Sequence, residues 1–543
     1  MKAILFTIFY LIAGFNYSQE NQIWVARYNE HGNYGYSALA IAVDASGNIY
    51  VTGAGAQGTS FRDYVTVKYN SSGVVQWMAR YNGTAGADDI AEKITVDGSG
   101  NVYVTGSSYG SGQNLDYLTI KYNSSGVEQW TARHNGPGSV IDEAHSIAVD
   151  AAGNVYVTGE SRVTSLNPDY ATIKYNSSGI EQWVSRYNGP ANNTDIGNSL
   201  AVDGAGNVYV TGESRLNSSY SDYATIKYNS SGVQQWVKRY DGTASQNDRA
   251  IALKLDAAAN VYITGSSAGT GSIGDIATIK YNSSGDTQWT VRYNGPDNLS
   301  EHGNALAVDA AGNVYVTGRT AVTSINTNYI TLKYNSSGVQ QWVSTYDGPG
   351  NSTDESYDIA VDLSGNVYIT GESTLISTNR DYATIKYNTA GVQQWLARYN
   401  GPGNAFDAAK GLVLDQSGNV IVTGVSYTNS SGSIVDYATI KYSVISGIQQ
   451  LNTEIPGVFS LSQNYPNPFN PVTNIEFSVP KSTFVKLAVF DVSGRELETL
   501  VSQNMTAGTY KADWDASKYS SGVYFYRLET EGFSKTSKMI LVK

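Results

Sequence analysis

The stretch "DYATIKYNSSG" occupies residues 169–179, returns letter for letter at 222–232, and recurs with one to four changes at six other places. A second stretch, "VDASGNIYVTG" from Val43, recurs in altered form with its Asp at 44, 97, 150, 203, 256, 309, 362 and 415, a constant step of 53 residues. The tryptophans keep that step as Trp24, Trp77, Trp130, Trp183, Trp236, Trp289, Trp342 and Trp395, leaving Trp514 outside the series. Eight units in one register are an array, and an array is read before anything else.

Within 91–133 four short β patterns follow one another: "AEKITVD", "NVYVTGS", "DYLTIKYN" and "VEQWTAR", here strands A to D. The A–B turn "VDGSGN" and the C–D turn "YNSSGV" place Asp or Asn where it can bond the backbone and Gly where φ is positive, so both are expected to be tight hairpins. Four-stranded antiparallel units repeated radially make a β-propeller. A linear stack would need polar capping units at its ends, and none is visible. The expected fold is therefore all-β: an eight-bladed β-propeller of 53-residue four-stranded repeats, with a small Ig-like β-sandwich after it.

A recurring Asp/Arg couple favours ring closure. With a four-residue C–D loop, Asn70 to Gly73, Asp63 would lie opposite Arg80. The couple returns as Asp116/Arg133, Asp169/Arg186, Asp222/Arg239, Asp275/Arg292 and Asp381/Arg398, and both members are lost together at Asn328/Thr345. The eighth strand C begins at Asp436, but "SVISGIQQLNTE" after it supplies neither Trp nor Arg. The strand "QIWVARYN" at 22–29 carries Trp24 and Arg27 with no strand C before it, so it is expected to complete the eighth blade with Arg27 opposite Asp436; Ile448 to Leu451 is the competing segment.

Charged residues make up only 15%, Tyr reaches 42 copies, and the net charge is −12 with no basic cluster, which argues against nucleic acid and anionic membrane surfaces. The start "MKAILFTIFYLIAGFNYSQE" has Lys2, a thirteen-residue apolar run and a small Ser18, as an export signal should. That run is too short to span a bilayer, and no other transmembrane candidate occurs. With no cysteine there are no disulfides, so closure of the fold must stabilise the chain. The expected division is a signal peptide at 1–18, the propeller at 19–451, a linker at 452–458 and a C-terminal domain at 459–543.

At "DIAEKITVDGSGNVYVTG" and "DYLTIKYNSSGVEQW" the chain resembles the SBBP family of bacterial β-propeller repeats, over about residues 22–451. The "YNSSGxxxW" segment is also similar to the Gly-to-Trp docking motif of quinoprotein propellers, a similarity of the blade staple and not of quinone chemistry. The motifs "YPNPFNP", "VFDVSGRE", "MTAGTYKADWD", "SSGVYFYRL" and "KMILVK" look like a C-terminal sorting domain of the type IX secretion system. That resemblance implies a Gram-negative bacterium of the Bacteroidetes kind, the type IX machinery as partner, and release or anchoring at the outer cell surface.

No catalytic residue is assigned: cysteine is absent, and His31, His134, His145 and His302 show no HExxH or comparable spacing. "GAGAQG" and "GSGQN" precede no helix and read as loop glycines; the "NSS" triplets read as turn chemistry. Carboxylates recur in the D–A loops as Asp89, Asp142, Asp195, Asp248, Glu301, Asp354 and Asp407, with Tyr36 breaking the set. They read first as caps for loop N–H groups and, as the alternative, as oxygen ligands for a hard cation such as Ca2+; no cofactor is expected otherwise. Three residues on, a ring expected at the mouth of the loop-rich face reads Leu39, Glu92, His145, Asn198, Ile251, Asn304, Tyr357 and Lys410. Two residues deeper the ring is aliphatic: Ile41, Ile94, Ile147, Leu200, Leu253, Leu306, Ile359 and Leu412. The polar mouth members, Glu92, His145, Asn198, Asn304, Tyr357 and Lys410, are the expected ligand site. The expected function is a secreted or cell-surface binding or adhesion module for a glycan or protein. The alternatives are a propeller enzyme, either a quinoprotein-like dehydrogenase or one that cleaves polysaccharide, and a structural surface or matrix protein.

Overall fold

The structure, a computed structural model, describes residues 22–543 apart from 31–34, 57–60, 111–113, 139, 165–166, 217–219, 377–378, 431–433, 444–448, 453–454 and 517–518. The expected signal peptide at 1–18, His31 and Ile448 lie outside the described residues. Two compact units result, Met1–Tyr442 and Ser443–Lys543.

The first unit contains eight four-stranded antiparallel sheets. We number them blades 1 to 8 from Tyr36. In blade 3, strands A to D are Asp142–Val149, Val155–Thr164, Asn167–Tyr175 and Glu181–Tyr187. Strands B and C are buried on both faces along most of their length, which is why "VYVTG" and "YATIKY" read as continuous runs instead of alternating ones. Strand D is the half-exposed outer edge.

Blade 8 is assembled from both ends of the unit: Gln22–Tyr28 pairs antiparallel with Val435–Tyr442 and occupies the strand D position. Arg27 Nε donates to Asp436 Oδ2 at 2.9 Å. The competing segment goes elsewhere, since Gln449–Asn452 pairs with Gly508–Asp515 in the second unit. The first unit therefore ends at Tyr442 and not at the expected 451, because the outer slot is already filled by the N-terminal strand.

The Asp/Arg couple forms, in a register shifted from the expected one. Arg80 pairs across from Val65, two residues beyond Asp63, because the C–D turn closes from Asn70 to Val74 and a bulge separates Lys68 from Tyr69. The contact is diagonal, with Arg80 Nη1 2.8 Å from Asp63 Oδ2. Each arginine also reaches outward. Arg239 donates to Ser214 Oγ in its own blade (2.7 Å) and to Tyr187 Oη of the preceding blade (2.8 Å). Where His134 replaces that tyrosine, it sits 3.4 Å from Glu181 across the blade boundary.

Among the described residues, two further ties recur between neighbouring blades, the first missing only in blade 5, where Ile276 replaces the tyrosine, and the second not formed by Trp395 of blade 7. A buried tyrosine on strand C donates to a strand C carbonyl of its neighbour, as Tyr117 Oη does to Ala171 O at 3.2 Å, and Tyr437 to Val65 O at 3.0 Å closes the ring. On the turn face, Trp77 Nε1 and Lys68 Nζ both donate to Ser124 O, at 3.1 and 3.0 Å. The indole of Trp77 lies over Gly126, whose φ is +82° and where a Cβ would come within 2.6 Å of the ring. Only glycine meets both demands. Trp24 repeats this contact onto Ser71, 3.2 Å away, so the N-terminal strand closes the ring at its outer edge.

In the second unit, strands Thr483–Phe490, Glu496–Met505, Gly522–Thr530 and Phe533–Leu541 form one sheet, and Val472–Val479 and Gly508–Asp515 are central in the other. They share a core around Trp514, Phe477, Leu487, Tyr526 and Met539. This is the expected small β-sandwich.

Removing residues 22–30 deprives blade 8 of its outer strand and of both Trp24 and Arg27. We expect a melting temperature at least about 10 °C lower by circular dichroism, the scale of several kcal/mol in a protein this size. Unchanged melting would contradict the closure.

Candidate functional site

In every blade, strand A carries a bulge. Ala144 pairs with Gly159 and Ser146 with Thr158, which leaves His145 unpaired between them. The same step isolates Leu39, Glu92, Asn198, Ile251, Asn304, Tyr357 and Lys410. The residue expected at the mouth is thus the bulged residue each time, and a bulge re-aims its side chain. The glycine of each "VTG" or "ITG" accounts for it: a Cβ on Gly159 would stand 1.9 Å from Glu143 O, where strand A presses in.

These positions line a central cavity of about 530 Å³ that strand A of all eight blades encloses, with Ile94, Ile147, Leu200, Leu253 and Leu306 among the deeper lining. The structure brings all eight mouth residues together. It also gives several of them work between blades. Asn198 Nδ2 donates to Ala250 O at 2.8 Å, and Asn304 Nδ2 to Ser356 O at 3.0 Å and Glu355 Oε1 at 2.9 Å. His145 Nδ1 faces Gly197 O at 3.2 Å, and a carbonyl can only accept, so Nδ1 carries the proton.

Blades 6 to 8 carry a charged sector that the sequence reading missed. Glu355 and Glu372 are direct cross-strand partners, an arrangement that destabilises unless cations balance it. Arg319 sits 3.1 Å from Glu355, while Arg380 and Lys410 hold Glu372. Lys410 Nζ also lies 3.8 Å from the centre of the Tyr357 ring. Burial pushes the Lys410 ammonium below its ordinary pKa and the Tyr357 phenol above its own. On the opposite arc, His145 holds the Glu143 carboxyl below the usual range, whereas burial raises Glu92.

The D–A loop carboxylates are buried and bonded to backbone. Asp142 accepts from Gly136 N at 2.6 Å and Arg162 N at 3.0 Å, and Asp407 from Gly401 N at 2.7 Å and Tyr427 N at 3.0 Å. Asp89, Asp195, Asp248 and Asp354 bond the corresponding glycine N–H, and Glu301 takes Thr320 Oγ1. Each fastens its loop to its own strand B. Among the described residues, three carboxylates converge only at Asp222, Asp241 and Asp248, within 4.8 Å of one another.

Burial raises Asp195 from 3.8 to about 6. Its ionisation therefore opposes folding above pH 6, and that opposition fades as pH falls through the folded value and is gone below the unfolded one. Relative to wild type, Asp195→Asn should gain melting temperature at pH 7 and lose that gain by about pH 4.5. A difference that does not vary with pH would contradict this.

No curated protein matches the chain in sequence. Among solved structures, a fungal alcohol oxidase in complex with copper is 12% identical, covering 83% of this chain and 96% of that one, with a TM-score of 0.38. A lignostilbene dioxygenase from Pseudomonas brassicacearum is 10% identical over 69% and 94%, with a TM-score of 0.34. A putative gluconolactonase is 12% identical over 55% and 90%, with a TM-score of 0.29. The beta-propeller repeat model SBBP matches residues 76–112, 129–167, 182–215, 288–326 and 341–374, and the secretion system C-terminal sorting domain matches 463–543. A sorting domain of this kind implies the type IX machinery and a secreted or outer-surface destination in a Bacteroidetes-like bacterium. The chain thus carries SBBP beta-propeller repeats followed by a secretion system C-terminal sorting domain.

Proposed function

We propose that this is an exported binding or adhesion module whose loop-rich mouth recognises an extracellular glycan or protein. The contrast between two rings on the same strands carries the reading. Two residues inside the mouth every blade presents isoleucine or leucine, as packing between blades demands. At the bulge, where the backbone is equally uniform, the side chains change from carboxylate to imidazole, amide, phenol and ammonium. Packing alone asks for no such variety, and Glu92, Tyr357 and Lys410 are not part of the backbone ties that Asn198 and Asn304 make.

The rest of the molecule supports a platform role. The opposite face consists of the repeated tight turns, which are occupied by the tryptophan and lysine contacts between blades. A rigid ring with variable residues at one mouth suits recognition, and the sorting domain supplies delivery. A signal peptide at 1–18 would provide entry to that route.

The test is saturable binding of the purified protein to a panel of polysaccharides and envelope proteins, with and without Ca2+. Replacing the four mouth residues together, as Glu92→Gln, His145→Gln, Tyr357→Phe and Lys410→Gln, should weaken retention of the bound ligand by about tenfold or more, the loss of one to two strong polar contacts. Undiminished binding would overturn the assignment of the mouth.

A further inference from the structure

Where blades 4, 5 and 6 meet on the loop-rich face, a side pocket of about 410 Å³ opens beside the central cavity and shares Arg249, Ile251 and Asn304 with it. Glu213 and Arg215 enter from strand B of blade 4, Arg249 from strand A of blade 5 and His302 from strand A of blade 6. Resting on the reading of the mouth as a recognition site, we infer that this pocket binds the oxyanion of an acidic glycan, a uronate carboxylate or a sulfate ester, between the guanidiniums of Arg215 and Arg249.

Most arginines of the propeller are held by a carboxylate, as Arg162, Arg319 and Arg380 are by glutamates. Those of the Asp/Arg couples are spent on structure, as Arg239 is on Tyr187, Ser214 and Asp222. Arg215 is half-buried in the pocket; its backbone N–H donates to Thr194 O at 3.0 Å, but its guanidinium makes no hydrogen bond or ion pair among the described residues. Arg249 is 54% exposed, and its one ion pair is a loose 3.9 Å approach to Glu213. Neither is a fixed feature of the repeat: at the position of Arg215 only Arg162, held by Glu160, is also arginine, and at the position of Arg249 the other blades carry Ser37, Ile90, Glu143, Ile196, His302, Glu355 and Ala408. Packing does not account for an arginine there.

The local charge runs against that of the chain. A protein of net charge −12 has placed two guanidiniums and an imidazole around one carboxylate. Burial, then the fields of Arg319 and Arg249, push the His302 imidazole below its usual pKa. The adjoining cavity adds Lys93 and Lys254, exposed ammoniums at positions where most blades carry small residues, and neither makes an ion pair among the described residues. Guanidinium forks match the planar or trigonal oxygens of carboxylates and sulfates, and a positive recess on an acidic surface concentrates such ligands. The asparagine and serine groups of Asn247, Ser221 and Ser266 in the same lining suit sugar hydroxyls, and the volume is that of a small-ligand site.

The full chain should be tested by equilibrium binding to polygalacturonate, dextran sulfate and neutral dextran at low and high salt. Binding to either acidic polymer should weaken about tenfold or more in the Arg215→Gln/Arg249→Gln double variant, the loss expected for a charge-assisted fork. Because the Arg215 guanidinium makes no hydrogen bond or ion pair among the described residues, the single Arg215→Gln variant should weaken binding while melting within about 2 °C of wild type. Arg495→Gln in the C-terminal unit, which removes the same charge elsewhere, should change binding by less than about twofold. Binding confined to one acidic polymer identifies the oxyanion. Acidic-polymer binding that is unchanged in the double variant, or that Arg495→Gln weakens equally, overturns the inference. So does the absence of acidic-polymer binding; retention of a neutral glycan or a protein that depends on the mouth residues would then leave the proposed function standing, and no retention of any ligand would remove both.

Discussion

Among the described residues, seven of the eight blades are tied to their successor through one carbonyl that accepts twice. Ser124 O takes the indole N–H of Trp77 and the ammonium of Lys68, and the indole rests on a glycine that no other residue could replace. A repeat array has only nearest-neighbour contacts, so its stability is a sum over interfaces, and an open array forfeits one of them. Here the last interface is recovered because Trp24 and Lys441, from opposite ends of the propeller chain, meet on Ser71 O. The net worth of any single bond is about 1 kcal/mol, so repetition and closure matter more than any one contact. With no cysteine in the chain, closure does what disulfides do in many exported proteins.

That constraint divides the molecule. The turn face must stay uniform, because tryptophan, lysine, serine and glycine are all committed there. The Arg–Ser–Tyr ties and the loop carboxylates impose similar uniformity on the outer part of the opposite face. What is left free is the bulged residue of strand A and its immediate surroundings. Variation in this protein is concentrated there, and it includes the balanced Glu355/Glu372 pair and the Arg215 guanidinium, which makes no ion pair among the described residues.

Features that repeat were legible in the sequence. The 53-residue step, the blade staple and the Asp/Arg couple each leave the same mark several times over, and Arg27 finds Asp436 as that pattern predicts. The register of the Asp/Arg couple was misjudged by two residues, because a bulge beside the C–D turn leaves no compositional trace. The strand A bulge does leave one, the glycine in each "VTG", but its meaning depends on a neighbouring backbone that approaches to within 1.9 Å of where a Cβ would be. The side pocket was invisible. Arg249 and His302 hold one place in adjacent repeats and Arg215 another in the repeat before them, and only the packing of the blades brings them into one lining.

The most direct measurement of the account is amide hydrogen exchange of the intact protein with and without a saturating acidic polysaccharide. Recognition at the mouth predicts added protection in peptides covering 195–216, 247–253 and 300–306, where strands A and B of blades 4 to 6 meet the pocket. The C–D turns, such as Asn176 to Ile180, should be unchanged. Protection centred on those turns or on the C-terminal unit, with the mouth peptides unaltered, would contradict it.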